Sequence, residues 1–212
     1  TWTSNNLSVA SVSNSGVVFG NSSGQATFSF RSNDTQCLSD PTAALIVNDR
    51  PTIIYAGSST ICVGTNITLS SQGSGIWFSS NQSVAQITSG GLVTAIAPGT
   101  VTFTFTSSSS GCASIPTNAF TVLGRPTVSI SGQTSICIGS TTNLTPSSGG
   151  TWSSSNSAVA TVNNSGIVTG VSVGSAFFYY TETATGCISN ATLPVTINSR
   201  PDVAFTGPST IC

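Results

Sequence analysis

The sequence predicts an all-β protein made of tandem antiparallel β-sandwich modules of 75 residues. Three observations lead to this prediction. Apolar residues alternate with polar residues along short segments, clusters of Gly, Asn and Ser separate the segments, and the whole pattern recurs with a fixed step. Because no segment shows the 3.6-residue apolar period of an amphipathic helix, we expect strands throughout.

The fixed step is a true tandem repeat. Several residue types recur every 75 residues (77 − 2 and 152 − 77 for the tryptophans). A period of this length suits a small domain that closes its own core rather than a solenoid unit. The recurring residues are Trp2, Trp77 and Trp152; Cys37, Cys112 and Cys187; Cys62, Cys137 and Cys212; and Arg-Pro at 50–51, 125–126 and 200–201.

Counting from one Arg-Pro to the next divides the chain into four parts. We expect complete modules at 50–124 and 125–199, the C-terminal part of a module at 1–49, and the start of a further module at 200–212. The two end parts would lack a core strand, around Leu144, if they complemented each other between copies. We therefore interpret the sequence as a window of a longer protein.

Strands are predicted where apolar residues fall on alternate positions. In the third repeat Ala176, Phe178 and Tyr180 share one face, as do their equivalents in the other repeats. The same alternation runs through Leu193, Val195 and Ile197. Turn residues such as those at 163–166 separate the strands, and Gly supplies the positive φ that such hairpins require. About seven strands per repeat indicate a two-sheet sandwich.

Composition excludes several classes of partner. Only 4% of the residues are charged, there is no Lys or His, and the formal net charge is -1. Without a basic cluster, nucleic acid is not an expected partner. No apolar run reaches the roughly 20 residues that span a bilayer, so we expect no membrane insertion of this segment. Six cysteines indicate an oxidising, extracellular compartment.

The sequence contains no recognisable catalytic or metal-binding pattern. Histidine is absent, which removes the usual triad base and the commonest metal ligand. The five carboxylates do not recur at equivalent positions and form no calcium loop. We expect no enzyme activity, no cofactor and no metal site. The carboxylates are Asp34, Asp40, Asp49, Glu182 and Asp202.

Four short motifs of the third repeat make a more specific resemblance. Together they resemble the group 2 bacterial immunoglobulin-like domain, and all three repeats carry the set with mild departures, Phe19 for Thr169 and Ala95 for Gly170. The resemblance implies an immunoglobulin-like sandwich in which Trp2, Trp77 and Trp152 face the core. The motifs are GTWSSSN at 150–156, VATV at 159–162, GIVTG at 166–170 and Gly174.

The cysteine-containing segments extend the resemblance. Residues 136–139 and 186–187 resemble repeats of giant cell-surface proteins of Bacteroidota, among them gliding-motility adhesins exported by the type IX system. This resemblance implies an extracellular, cell-surface protein whose repeats form a stalk or fibre that spaces an adhesive region from the envelope. Its partners would be neighbouring modules, other copies in a fibre and an adhesion target of unknown identity.

Two other functions remain open. The repeats could be carbohydrate- or cell-binding modules, which predicts exposed aromatic residues shared by all repeats. They could also be accessory repeats of a larger secreted enzyme, because similar sandwiches are attached to many proteins. Arg50, Arg125 and Arg200 are expected to pack over the joints and bond exposed carbonyls. Phe177 and Tyr179 replace polar residues of the other repeats and mark local packing or a contact surface.

In an immunoglobulin-like order, the two cysteines of one repeat lie at opposite ends of the sandwich. A strand of about seven residues would separate Cys137 from Cys187 by over roughly 20 Å, whereas a disulfide requires Cα atoms within about 7 Å. A bond between successive modules, Cys62 to Cys187, satisfies this limit better. Bonds of Cys62 to Cys112 and Cys137 to Cys187, or free thiols, remain alternatives.

On the intermodule hypothesis, four cysteines have their partners outside this sequence: Cys37, Cys112, Cys137 and Cys212.

Overall fold

The computed structural model describes residues 1–204, 206 and 207. Every helix-or-strand element assigned among them is a β-strand. In this part of the chain no helix is long and apolar enough to cross a membrane. The predicted all-β class is confirmed.

The strands follow the sequence repeats. Residues 1–49 form β1 (Trp2–Ser4), β2 (Ala10–Val12), β3 (Val18–Gly20), β4 (Gly24–Ala26), β5 (Phe28–Phe30) and β6 (Leu45–Val47). Residues 50–124 form β7 (Ile53–Tyr55), β8 (Thr60–Cys62), β9 (Asn66–Ser71), β10 (Gly75–Ser79), β11 (Ala85–Ile87), β12 (Leu92–Ala95), β13 (Gly99–Val101), β14 (Phe103–Ser107) and β15 (Phe120–Leu123). Residues 125–199 form β16 (Ser129–Ile130), β17 (Ser135–Cys137), β18 (Thr141–Thr145), β19 (Gly150–Ser154), β20 (Ala160–Val162), β21 (Ile167–Gly170), β22 (Gly174–Ala176), β23 (Phe178–Glu182) and β24 (Val195–Asn198).

The third repeat shows the sheet order. One sheet runs β16-β18-β21-β20, a second runs β17-β24-β22, and β19 pairs with β23. Neighbours are antiparallel except β17 and β24, which are parallel with Ile136 opposite Ile197. The second repeat has the same order, with β7-β9-β12-β11, β8-β15-β13 and β10-β14. Residues 75 positions apart in sequence therefore lie on equivalent strands of the two repeats.

Two compact units are distinguished by the contacts within the chain. The first comprises Thr1–Ser59, Asn66–Thr94 and Val101–Phe120. The second comprises Thr60–Thr65, Ala95–Thr100 and the chain from Thr121 onward. Residues 50–124 thus contribute to both units, and the module boundaries taken from the Arg-Pro step stay a prediction.

The core of the third repeat lies between its sheets. Apolar side chains from all three strand groups meet in one buried cluster, because alternate residues of each strand face inward. Phe178, Val168 and Ile197 are fully buried within it. The cluster consists of Ile136, Leu144, Trp152, Ala160, Val168, Ala176, Phe178, Tyr180, Val195 and Ile197.

The second and third repeats each have nine strands rather than the predicted seven. Part of the difference arises where β22 and β23 are interrupted at Phe177. There the amide of Phe177 donates to Ser155 Oγ at 2.9 Å, and the amide of Phe178 donates to Thr192 Oγ1 at 3.1 Å. Side-chain oxygens replace strand partners at these amides, so one long predicted strand is assigned as two short ones.

The predicted alternation of Leu193, Val195 and Ile197 is wrong at its first residue. Val195 and Ile197 are buried, but Leu193 is 73% exposed. Thr192 instead faces inward, because its hydroxyl accepts from the Phe178 amide and donates to the Leu193 carbonyl at 2.8 Å. Thr192 and Leu193 precede β24, so the alternation of buried residues begins only at Val195.

The first repeat leaves part of its apolar face uncovered. Val18, Phe30 and Leu45 are 37%, 38% and 42% exposed. Their equivalents in the other two repeats are buried, namely Val93, Phe105 and Phe120, and Val168, Tyr180 and Val195. Residues 1–49 contain no equivalent of β16 to β18, the strands that complete the third repeat.

Joining a copy of residues 125–150 in front of Thr1, which is equivalent to Thr151, should cover this face. Burying Val18, Phe30 and Leu45 more fully is expected to stabilise the first repeat by about 2 kcal/mol or more. Hydrogen exchange of the amides in β3 and β5 should slow accordingly. The control is the same graft carrying Leu144→Asp, which places a charge in the core. Equal exchange with both grafts would contradict the expectation.

Candidate functional site: the Cys62–Cys187 joint

Cys62 ends strand β8 and begins a tight turn. Strand β8 pairs in parallel with β15, so that Cys62 lies opposite Leu123. After it the Val63 amide donates to the Leu123 carbonyl at 2.9 Å, and the Thr65 amide donates back to the Cys62 carbonyl at 3.0 Å. Gly64 occupies the turn with φ of 85°, a conformation that favours glycine. The backbone therefore fixes the direction of the Cys62 side chain.

Cys187 lies in the turn that follows strand β23. The Glu182 amide donates to the Cys187 carbonyl at 3.0 Å, and the Gly186 amide donates to the Glu182 carbonyl at 2.8 Å. A bridge between Thr181 and Ile188 closes the turn beyond it. Cys187 is fully buried. Its position is thus set by local hydrogen bonds of the third repeat.

The same turn is present in the other repeats without a bonded cysteine. The amide of Ser107 donates to the Cys112 carbonyl at 3.0 Å, and the amide of Ser32 donates to the Cys37 carbonyl at 3.0 Å. Cys37 and Cys112 are free thiols there. The turn therefore does not depend on a disulfide for its hydrogen bonds.

A disulfide joins Cys62 to Cys187. Their Cα atoms are 5.6 Å apart, inside the usual range for disulfides. The bond spans 125 residues of sequence and connects residues of two successive sequence repeats. Both cysteines belong to the second compact unit.

The alternative bonds within one repeat are not formed. Cys112 and Cys137 are free thiols, and Cys187 is already bonded to Cys62. Cys137 lies opposite Asn198 at the end of β24, whereas Cys187 precedes the segment that leads into β24. The two cysteines of the third repeat therefore lie at opposite ends of this strand segment.

The other four cysteines are predicted to bond partners outside this sequence. Cys37, Cys112 and Cys137 are free thiols. Cys212 lies outside the described residues. Bonds from these four cysteines to partners beyond this sequence stay a prediction.

The recurring arginines lie against the turns that follow β8 and β17. The guanidinium of Arg125 lies so close to Gly64 that a Cβ added there would collide with it. Arg200 lies against Gly139 in the same way, and its Nε donates to the Ile138 carbonyl at 2.8 Å. The predicted bond from the arginine to an exposed carbonyl is thus confirmed for Arg200.

A surface groove lies beside the disulfide, and Cys62 is one of the residues that line it. Tyr179, 37% exposed, lines it together with Arg125 and Ile188. The aromatic residue that distinguishes the third repeat therefore lies beside the joint. Phe177, 43% exposed, is not among the residues that line this groove. The lining consists of Cys62, Val63, Gly64, Thr65, Arg125, Tyr179, Gly186, Ile188 and Ser189.

The three tryptophans pack on the aromatic residue of the opposite strand. Ring centroids lie 5.2, 4.9 and 5.1 Å apart for Trp2 with Phe30, Trp77 with Phe105 and Trp152 with Tyr180. Trp152 is buried and its Nε1 donates to the Pro146 carbonyl at 2.9 Å. Trp2 and Trp77 are half-buried.

Sequence reasoning missed the glycines of this site. The guanidinium groups of Arg125 and Arg200 lie against Gly64 and Gly139. Both glycines have positive φ, 85° and 78°. A signal was present, because both glycines follow a cysteine by two residues and keep the 75-residue step. Within the described part of the chain, no three His, Cys, Asp or Glu residues are grouped so that they could hold a metal ion.

Sheet order, core and recurring tryptophan together define tandem immunoglobulin-like β-sandwich modules. A family model for the bacterial Ig-like domain (group 2) matches residues 1–40, 42–115 and 125–179. The chain belongs to this family. No curated protein matches the sequence.

Solved structures with similarity to the chain include a surface layer protein, invasin and intimin. The surface layer protein SbsC, domains 1-6, is 18% identical over 96% of this chain, with a TM-score of 0.30. Invasin, a bacterial integrin-binding protein, is 17% identical over 94% of this chain, with a TM-score of 0.40. A C-terminal fragment of intimin is 14% identical over 78%, with a TM-score of 0.30. The chain covers 35%, 51% and 55% of these structures.

Family membership fits repeats of a bacterial surface or extracellular protein.

Removing the disulfide should destabilise the second compact unit. For a loop of 125 residues, the chain-entropy model gives a loss of about 5 kcal/mol as an upper value. Cys62→Ser is therefore expected to lower the guanidinium unfolding midpoint of the oxidised chain. Cys112→Ser removes a free thiol of the same repeat and should leave the midpoint unchanged. Equal midpoints for both variants would show that the bond does not constrain the unfolded chain.

Proposed function

We propose that the chain is a structural stalk of an extracellular bacterial surface protein, in which disulfides between successive repeats carry tension along the array. The observation that carries the proposal is the Cys62–Cys187 bond, because it connects repeat 50–124 to repeat 125–199 across 125 residues of sequence. We further propose that these residues perform no enzymatic reaction.

The bond changes the path of a pulling force. Force applied at the two ends of the chain passes from Cys62 directly to Cys187. The residues between them, which include strands β9 to β23, lie outside the tensioned path. Extending this segment would require breaking a covalent bond rather than separating strands. A repeat that holds its length under tension suits a stalk that spaces an adhesive region from a cell surface.

The surface properties agree with this proposal. Exposed aromatic residues occur at different positions in the repeats, with Phe19 in the first, Phe78 in the second and Phe177 in the third. A ladder of identical ligand sites would instead repeat with the 75-residue step. The stalk is therefore favoured over carbohydrate- or cell-binding modules. Export by the type IX system and a role in gliding motility stay predictions.

Single-molecule pulling tests the proposal. Reducing the disulfide should release 125 further residues, which adds roughly 400 Å of contour length to full extension. The oxidised chain should lack this extension, and oxidised Cys62→Ser should behave like the reduced chain. Cys112→Ser is the control and should keep the shorter extension when oxidised. An oxidised chain as extensible as the reduced one would refute the covalent path.

The proposal also predicts how a longer array is joined. A second copy of residues 125–199 attached directly after residue 199 keeps Arg-Pro at the new boundary. Its cysteine equivalent to Cys187 is expected to bond Cys137, by the same relation that joins Cys62 to Cys187. Peptide mapping would identify the bond. Changing that added cysteine to serine should leave Cys137 free to react with iodoacetamide, and a reactive Cys137 in the unmodified extended chain would contradict the prediction.

A further inference from the structure

One contact recurs between repeats. The arginine at the start of a repeat lies against a glycine of the preceding repeat, and this glycine follows Cys62 or Cys137 by two residues. We call this contact the arginine clamp and define it by Arg125 with Gly64, and by Arg200 with Gly139. In both instances glycine leaves room for the guanidinium, since a Cβ would occupy its place. Glycine also adopts the positive φ of these turns, 85° at Gly64 and 78° at Gly139, without a steric cost.

The turn under the clamp is held in place by the neighbouring strand. The amides of Gly64 and Ala95 donate to the carbonyls of Ala95 and Thr65, at 2.8 and 3.1 Å. Gly139, Ser140 and Gly170 repeat these two bonds at 2.8 and 3.0 Å. The arginine therefore rests on a fixed backbone rather than on a free loop end.

The second instance of the clamp lies beside a cysteine that carries no disulfide in this chain. Cys137 is a free thiol, yet Arg200 lies against Gly139 and its Nε donates to the Ile138 carbonyl at 2.8 Å. The equivalent arginine beside the bonded Cys62 lies against Gly64. Both arginines therefore lie against the glycine of the turn, one beside a bonded cysteine and one beside a free thiol.

The clamp also lies next to the second cysteine. Arg125 lines the same groove as Cys62 and as Gly186 and Ile188, the two sequence neighbours of Cys187. A side chain that contacts the Cys62 turn while its own backbone begins the next repeat limits where Cys187 can lie. It can therefore act on the pairing of the two thiols before they are joined.

We propose that Arg125 is a positioning residue, which through its contact with Gly64 selects Cys187 as the partner of Cys62 when the reduced, folded chain is oxidised. This inference rests on the covalent joint of the proposed function. The oxidant would be a small-molecule disulfide. A Cys62 thiolate attacks one of its sulfurs and expels a thiolate, and the Cys187 thiolate then attacks the mixed disulfide and expels the second. Two electrons pass to the oxidant, which leaves as two thiols.

The test uses the full chain, reduced and then oxidised under native conditions with a mixture of oxidised and reduced glutathione. Samples are alkylated at intervals and linked peptides are mapped. Arg125→Ala is expected to slow Cys62–Cys187 formation by about 5- to 10-fold, since loss of the contact lowers the effective concentration of the two thiols. Bonds of Cys62 to other cysteines, and glutathione trapped on Cys62, should increase. The matched control is Arg50→Ala, which removes the equivalent arginine of the preceding Arg-Pro dipeptide, an arginine that does not contact Gly64.

A second measurement separates positioning from general stabilisation. When Cys62 and Cys187 are both replaced by serine, Arg125→Ala and Arg50→Ala should have similar unfolding midpoints. When both cysteines are present, the same two arginine substitutions should differ in which cysteines pair. Arg125→Lys, which keeps the charge but not the planar donors, should give an intermediate rate. Equal rates and equal pairs for Arg125→Ala and Arg50→Ala would overturn the inference. A wild-type chain that never forms the Cys62–Cys187 bond would instead overturn the proposed function.

Discussion

Burial of one row of apolar side chains per strand is the constraint on which each repeat depends. Only 4% of the residues are charged, so ion pairs can contribute little, and the free energy of folding must come from packing and hydrogen bonds. In the third repeat Phe178, Val168 and Ile197 meet in one cluster. In residues 1–49, which carry no equivalents of β16 to β18, the same positions are exposed.

Hydroxyl groups of Ser and Thr supply many of the side-chain hydrogen bonds to the backbone. Ser154 Oγ donates to the Ala160 carbonyl and Ser79 Oγ donates to the Ala85 carbonyl, both at 2.7 Å. Thr192 satisfies an amide where strand pairing stops. Each such bond supplies a partner for a buried backbone group that would otherwise lose water without compensation. A surface and interior rich in Ser and Thr are thus compatible with a well-defined sandwich.

The joint combines a covalent bond with a backbone that aims both cysteines. Cys62 is held by a parallel strand pair and a glycine turn, and Cys187 by a hairpin turn that forms in every repeat. The same two turns occur at the equivalent cysteines Cys137 and Cys112, which are free thiols in this chain. Because the second and third repeats have the same fold, each one carries both kinds of cysteine-containing turn that the disulfide joins. The mechanical function proposed above depends on this arrangement.

The sequence by itself determined the fold class, the repeat and the family, because alternation, turn residues and the 75-residue step are local or periodic signals. The tertiary structure decided which residues share the joint. Burial of Thr192 in place of Leu193, and the contact of Arg125 with Gly64, depend on hydrogen bonds and space between distant segments. Cysteine spacing allowed several pairings, and only the three-dimensional path of the chain brings Cys62 and Cys187 to 5.6 Å between their Cα atoms.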